Sequence, residues 1–206
     1  MDHYQSSFTV RAIARFLSEK LPGYFLTEAF STGKDELLLE FESRGNQCNL
    51  KLNWADGQLF ISIPEQGGNS GKNTINQFRD AIGKQVSAVH DSGYDRSFRI
   101  EFSDYSQLVF KCWGRHSNVL FYEAGSDTCS QHFRLHHKGD AQLAIANFTT
   151  QRDFEYQTAA CSDPELFQQA YPFVTPSLLD YLVKQGFFRL TEAERQVKFL
   201  DFRRQL

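Results

Sequence analysis

Gly114-Arg115-His116-Ser117-Asn118-Val119-Leu120-Phe121-Tyr122-Glu123 begins as a tight polar turn and runs directly into an apolar strand. Gly114 supplies a backbone free to take φ > 0. Arg115, His116, Ser117 and Asn118 then crowd hydrogen-bonding groups onto the mouth of that strand, more than a plain turn requires. Upstream, Asp95-Arg96 stands just ahead of another strand-like run, Ser97–Phe102. The reading places these two polar clusters side by side in space.

Outward from this stretch the chain reads as a series of short strands. Gln85–Val89, Ser97–Phe102, Gln107–Cys112, Asn118–Glu123 and Gln131–His136 follow one another through polar turns. Before them come Tyr24–Phe30, Glu36–Phe41, Cys48–Asn53 and Leu59–Ile63, with Gly33, Gly45 and Asp56-Gly57 between runs. Leu50, Leu52 and Trp54 alternate with Lys51 and Asn53, the period of a half-buried strand. Such spacing predicts an antiparallel sandwich or barrel rather than βαβ units.

Helices bracket this β region. Ser6 and Ser7 are cap candidates for a first helix over about residues 8–20, with Phe8, Ile13, Phe16, Leu17 and Leu21 on its buried side and Pro22-Gly23 ending it. A short helix is expected over Asn73–Ile82, with Ile75, Phe78 and Ile82 inward. From about Ala141 the character turns helical. Asp163-Pro164 and Thr175-Pro176 are helix starts, Leu178, Leu179, Leu182 and Val183 an apolar side, and Gly186 a stop. Thr191 with Glu194 has the form of a capping box. The expected class is α+β: an N-terminal helix and antiparallel β-sandwich over residues 1–140, then a small helical module over 141–206.

Composition limits the function. Aromatics make up 15% of the 206 residues, with 20 Phe, so the chain can fill a single core. Net charge is −3, which excludes a basic wrapper of nucleic acid and confines any RNA contact to a local patch. Cys48, Cys112, Cys129 and Cys161 are scattered with no Cys-x-x-Cys pair, so reduced thiols and a cytoplasmic protein are expected. The Met1-Asp2-His3 start carries no apolar signal core, and no run approaches a membrane span.

Each chemical motif has a plain alternative. Cys129, His132, His136 and His137 invite a zinc reading, but His132 and His136 on one strand would stand roughly 13 Å apart at about 3.3 Å per residue. Bonds near 2 Å do not bridge that, so no metal is expected, nor any cofactor. His116 beside Ser117 would point to the opposite face of a strand, and no Gly-x-Ser-x-Gly elbow exists, so no catalytic residue is assigned. Gly67-Gly68-Asn69-Ser70-Gly71 lacks the Gly-Lys-Ser/Thr ending of a P-loop. Asp95-Arg96 is either a charged turn or an Arg oriented by an acid toward a phosphate or base. The Gly114–Asn118 cluster favours the second, since such a turn suits phosphate and sugar recognition, and Lys111 adds charge just upstream. Arg11 and Arg15 share a helix face, and with Arg79 they are candidate phosphate contacts against the alternative of a solvated surface.

At these residues the chain resembles the N-terminal domain of the NFACT family, the ribosome quality-control factors also called fibronectin-binding proteins. The matching stretches are Asp95-Arg96 before a strand and Gly114-Arg115-His116-Ser117-Asn118-Val119-Leu120 opening the next hairpin. Phe30-Ser31-x-x-Lys34-Asp35-Glu36-Leu37 is similar to one bacterial branch, and Thr175-Pro176 to the start of the helical segment. The family's usual Phe-Asp-Gly opening reads Gln5-Ser6-Ser7-Phe8 here, and its Leu-Arg-Lys-His helix reads Phe78-Arg79-Asp80-Ala81.

The resemblance implies a fold like the N-terminal domain of formamidopyrimidine-DNA glycosylases followed by a helix-two-turns-helix-like module. It also implies binding to tRNA and to the large ribosomal subunit carrying a stalled peptidyl-tRNA, in support of C-terminal tailing. Asp95 and Arg96 carry over as tRNA-binding residues, with Gly114, Arg115, His116, Ser117 and Asn118 as their neighbouring loop and Lys111 beside it. No DNA and no membrane are expected as partners. The family continues into a coiled coil and an RNA-binding domain, so the chain is expected to be an N-terminal fragment or a reduced relative. Two other readings stay open. One is a glycosylase-like enzyme, for which the N-terminal Pro nucleophile is missing. The other is a fibronectin-binding or scaffold protein.

Overall fold

The computed structural model describes residues 7–65, 74–93, 95–149, 155–171 and 173–205. The Ser6 cap and the Gly67–Gly71 loop lie outside them. The chain forms two compact units, Met1–Gln151 and Arg152–Leu206.

In the first unit, helix α1 (Ser7–Lys20) is followed by two five-stranded antiparallel sheets. One holds β1 (Phe25–Gly33), β2 (Glu36–Ser43), β3 (Asn46–Ala55), β4 (Gln58–Ser62) and β5 (Ile75–Asn76) in the order β4-β3-β2-β1-β5. The other holds β6 (Val86–Asp91), β7 (Ser97–Phe102), β8 (Gln107–Lys111), β9 (Asn118–Tyr122) and β10 (Gln131–His132) in the order β10-β9-β8-β7-β6. Apart from β5, which pairs with β1, neighbours in sequence are neighbours in each sheet. Arg44-Gly45 and Asp56-Gly57 both take positive φ at each residue, the twist that matches two antiparallel strands.

The core follows from alternation. Leu37, Leu39 and Phe41 of β2, Leu50, Leu52 and Trp54 of β3, Phe98 and Ile100 of β7, and Leu108 and Phe110 of β8 are buried in one cluster with α1. Phe98 and Phe110 stack with ring centroids 4.3 Å apart. Each such ring adds roughly 1.5–3 kcal/mol by leaving water. Strand β9 departs from alternation, since all five of its residues are buried. Its second face, Leu120 and Tyr122 beside Val109 of β8, is covered by Leu143, Ile145 and Phe148, the last from the short helix α2 (Ala146–Thr149). The Tyr122 hydroxyl donates to the Leu143 carbonyl at 3.0 Å, and the Ser92 hydroxyl to that of Phe148 at 2.9 Å.

Three local expectations need correction. Helix α1 buries Leu17, with Leu21 just past its end and Ile13 packed against the core as expected, but Phe16 is exposed and Val10 and Ala14 complete the inner stripe. The helix packs on β6 and β7 of the second sheet, with the small Val10 and Ala14 on its buried face. Residues 74–82 are not a helix. Asn76 and Ile75 pair with Phe30 and Ser31 at the edge of β1, and only Arg79–Ala81 form a helical turn, of the 3₁₀ type. Edge pairing takes up the backbone groups, and Phe78 reaches the core from a left-handed backbone, φ 45°, while Ile75 and Ile82 face outward. Strand β10 ends at His132, and the chain turns before Arg134 rather than continuing extended to His136.

The second unit is helical: α3 (Pro164–Ala170), α4 (Pro176–Lys184) and α5 (Glu192–Gln205). Asp163 caps α3 by accepting from the Glu165 and Leu166 N–H groups, and Thr175 caps α4 by accepting from that of Leu178. Thr191 and Glu194 close a reciprocal box on α5, and Gly186 takes φ 71° after α4. Phe167, Tyr171, Phe187 and Phe199 are buried at the centre of this unit. Among the described residues, no helix is long and apolar enough to cross a membrane.

Candidate nucleic-acid interface

One end of the second sheet collects the polar residues. There β6 ends at Asp91, β7 begins at Ser97, β8 ends at Lys111 and β9 begins at Asn118, with Ser97, Lys111 and Asn118 in one cross-strand row. The ladder runs one residue further, the Cys112 N–H donating to the Arg96 carbonyl at 2.8 Å. Asp95-Arg96 thus lies across from the approach to Gly114. Asp95 accepts from the Arg96 N–H at 2.7 Å, and the Arg96 side chain is exposed.

Gly114–His116 is a 3₁₀ turn entered with Gly114 at φ 59°. Ser117 closes it, its hydroxyl donating to the Gly114 carbonyl at 2.7 Å. The Trp54 indole N–H donates to both the carbonyl and the hydroxyl oxygen of Ser117 at 3.1 Å, so a residue of the first sheet holds the turn. Arg115 packs on the β3–β4 turn, where a Cβ on Gly57 would come within 3.2 Å of Arg115 Cγ.

Beneath the turn lies a buried network. Lys111 pairs with Asp140, the two side chains 3% and 6% exposed. The other Asp140 oxygen accepts from Asn118 Nδ2 at 2.7 Å. Asn118 also donates to the Arg134 carbonyl at 3.3 Å, while its Oδ1 accepts from the Val119 and Arg134 N–H groups at 2.9 and 2.8 Å. All four hydrogen bonds open to a primary amide are therefore made. The ammonium of Lys111 sits 5.2 Å from the Trp113 ring centre. Arg134 lies over Trp54 at 5.7 Å and faces Asp35 at 3.7 Å. Burial pushes the neighbouring Cys112 thiol up to about 12, so it stays protonated.

The named residues thus divide. Arg96, Arg115 and His116 are exposed, and Gly114 and Asp95 are half-buried. Lys111, Ser117 and Asn118 are buried in hydrogen bonds that fix the turn. Arg11 pairs with Asp91 at 3.8 Å, at this same end, and Arg15 pairs with Glu19 one turn along. Arg79 stands apart. Its neighbour Asp80 binds Gln131, and Lys84 reaches Asp104 and Ser106 in the β7–β8 turn, at the opposite end of the sheet.

Five participants were not singled out from the sequence for this site: Trp54, Arg134, Asp140, and His136 and His137 as neighbours of His116. The His116 and His137 rings are 5.6 Å apart, and those of His136 and His137 4.1 Å. Burial lowers the His137 imidazole below its ordinary range, with the charges of His136 and Arg134 adding to the effect. Among the described residues, no group of three His, Cys, Asp or Glu could hold a metal ion.

No family model matches the chain, and no curated protein matches it. Solved structures do. The crystal structure of the fibrinogen-binding protein from Staphylococcus aureus superposes with a TM-score of 0.65 at 11% identity, over 97% of this chain and 82% of that one. The N-terminal part of the fibronectin/fibrinogen-binding protein of Streptococcus suis gives 0.57 at 10%, over 80% and 67%. The N-terminal domain of the fibronectin-binding protein PavA from Streptococcus pneumoniae gives 0.53 at 16%, over 62% of this chain and 53% of that one, so the match spans about half of PavA's domain. The helix, the two five-stranded sheets and the following helices are therefore the fold of the fibronectin/fibrinogen-binding protein N-terminal domains, the NFACT N-terminal fold.

Proposed function

We propose that this chain is a non-catalytic RNA-binding module of a cytoplasmic ribosome quality-control factor. It binds tRNA and the obstructed large ribosomal subunit in support of C-terminal tailing of the stalled chain. The observation that carries this reading is the division at one end of the second sheet. Arg96, Arg115 and His116 face solvent on a base whose own lysine is already neutralised by Asp140. A surface built to meet phosphates needs exposed donors on a rigid support. Lys111 and Asn118 serve as that support, and Arg96 and Arg115 serve as contacts.

Charged-tRNA binding across a salt series tests it. Arg96→Ala and Arg115→Ala are each expected to weaken binding and to lower the slope of log K against log salt by about 1. Equal binding by the wild type and both variants would overturn the assignment. A second reading comes from the structural neighbours, which bind fibronectin or fibrinogen. Capture of purified fibronectin by this chain, with tRNA binding absent at low salt, would favour it instead.

A further inference from the structure

The second unit holds a cavity of about 300 Å³, lined by residues of α3, α4, α5 and the turn after α4. Gly186, in the left-handed region at φ 71°, ends α4 and starts that turn, in which Phe187 is buried. Phe187 meets Phe167 of α3 with ring centres 5.4 Å apart, and Phe167 meets Phe199 of α5 at 6.3 Å. These three buried rings make up the floor of the cavity. They hold one another in place, so the floor is formed before any ligand arrives. The volume stands at the low end for a ligand site and suits one ring or two fused rings.

The mouth of the cavity is polar where the floor is aromatic. Tyr181 of α4 lines the wall and is exposed, and among the described residues its ring joins none of the contacts that lock the floor. Gln185, just past α4, and Lys198 and Asp201 of α5 complete the rim, all three exposed. Lys198 and Asp201 are three residues apart and share a helix face. Neither the Gln185 amide nor the Lys198 ammonium has a hydrogen-bond partner among the described residues. An ammonium only donates, a carboxylate only accepts, and an amide does both. A phenyl or aliphatic group would fill the floor and leave this rim unused. A planar ring with a donor beside an acceptor on its edge uses floor and rim together. Adenine, with its amino group next to ring nitrogens, has such an edge.

We propose that this cavity takes a single unstacked nucleobase. Tyr181 stacks on the ring, Asp201 accepts from the exocyclic amino group, and Lys198 or Gln185 donates to the neighbouring ring nitrogen. Unpaired bases of RNA are recognised in this manner, by stacking on an aromatic side chain and hydrogen bonding along the edge. The proposal deepens the RNA-binding reading by adding a base-reading subsite in the second unit, and it rests on that reading for the source of the base. Asp201 also makes the pocket selective. An amino-bearing base satisfies its carboxylate, whereas uracil brings a carbonyl oxygen to the same position.

Saturation-transfer NMR titration of the whole chain with adenosine, uridine and N-acetylphenylalaninamide tests it, since none of the three carries a phosphate. Adenosine is expected to bind about tenfold more tightly than uridine. Tyr181→Ala is expected to weaken adenosine about tenfold. Asp201→Asn, whose amide donates as well as accepts, is expected to narrow the gap between adenosine and uridine. Both substituted side chains are exposed, so the unit keeps its core. Failure to bind adenosine, equal binding by Tyr181→Ala, or N-acetylphenylalaninamide bound as tightly as adenosine overturns the proposal. Charged-tRNA binding by the same protein separates the two readings. Binding of tRNA without adenosine binding overturns the base site and leaves the RNA reading standing. Adenosine binding that depends on Tyr181, with no tRNA binding, upholds the base site and removes the RNA reading.

Discussion

Two lysine–aspartate pairs stand at opposite ends of the second sheet and do different work. Lys111–Asp140 is closed to solvent and tied through Asn118 to β9 and to Arg134. Lys84–Asp104, at the far end, makes a 2.6 Å contact with side chains 25% and 47% exposed, helped by the Ser106 hydroxyl. The chemistry is the same and the surroundings differ. A buried pair lowers the free energy little by existing, yet breaking it strands a charge away from water. An exposed pair loses little when broken because water replaces the partner. The end that carries Arg96 and Arg115 is thus the end with the least freedom to deform.

The sharpest way to break this contrast is to remove one member of the buried pair. Asp140→Ala is expected to cost about 3–5 kcal/mol, read from urea unfolding, because Lys111 is left without a counter-ion in the interior. The double change Lys111→Met/Asp140→Leu should recover the larger part of that loss. If Asp140→Ala costs no more than a surface substitution, the two ends are equivalent and the support has been assigned to the wrong residues.

Asn118→Ala comes next. It leaves Asp140, the Val119 and Arg134 N–H groups and the Arg134 carbonyl each short of a partner. A loss of roughly 2–3 kcal/mol is expected, since water reaches some of these groups once the amide is gone. The same variant separates support from contact. Its tRNA affinity should fall while the salt slope stays as in the wild type, because no phosphate-facing cation has been removed. A reduced slope would place Asn118 among the direct contacts.

What the sequence made legible follows the same division. The strands could be read because Leu50, Leu52 and Trp54, or Phe98, Ile100 and Phe102, alternate with a period that only a half-buried sheet produces. The turn and Arg96 could be read because they open strands. Asp140 could not, since it lies 29 residues from Lys111 and follows a stretch whose strand reading ran too far. The cue was Lys111 itself. It sits in phase with Val109, on a face that β8 also buries, and a lysine at such a position requires an acid from elsewhere. Ile75–Asn76 escaped notice because a two-residue edge strand has no period, and its existence is decided by the free edge of β1. In α1 only Phe16 is misplaced, because it outweighs Val10 and Ala14 in hydrophobicity, whereas the buried face of the helix takes the smaller side chains.

The smallest expected effect belongs to the exposed end, and it has its own pH signature. Partial burial pushes the Asp104 carboxyl up, but hydrogen bonds from Lys84 and from the Ser106 hydroxyl and N–H outweigh this and bring it down to about 2. A folded-state value below the unfolded one means that ionised Asp104 stabilises the fold above the ordinary carboxylate range. That stability is lost as pH falls from about 4 toward 2. Taken at face value the shift overstates the effect, since the carboxylate is half open to water, and solvent screening leaves about 0.5–1 kcal/mol. Asp104→Asn is therefore expected to lower the thermal midpoint by a few degrees at pH 6 and to match the wild type near pH 2. The gap between the two should close across that acid window. A gap that persists to pH 2 would mean that Asp104 acts through its hydrogen bonds to Ser106 and not through its charge. The two ends would then differ in the kind of interaction they use, and not merely in how deeply it is buried.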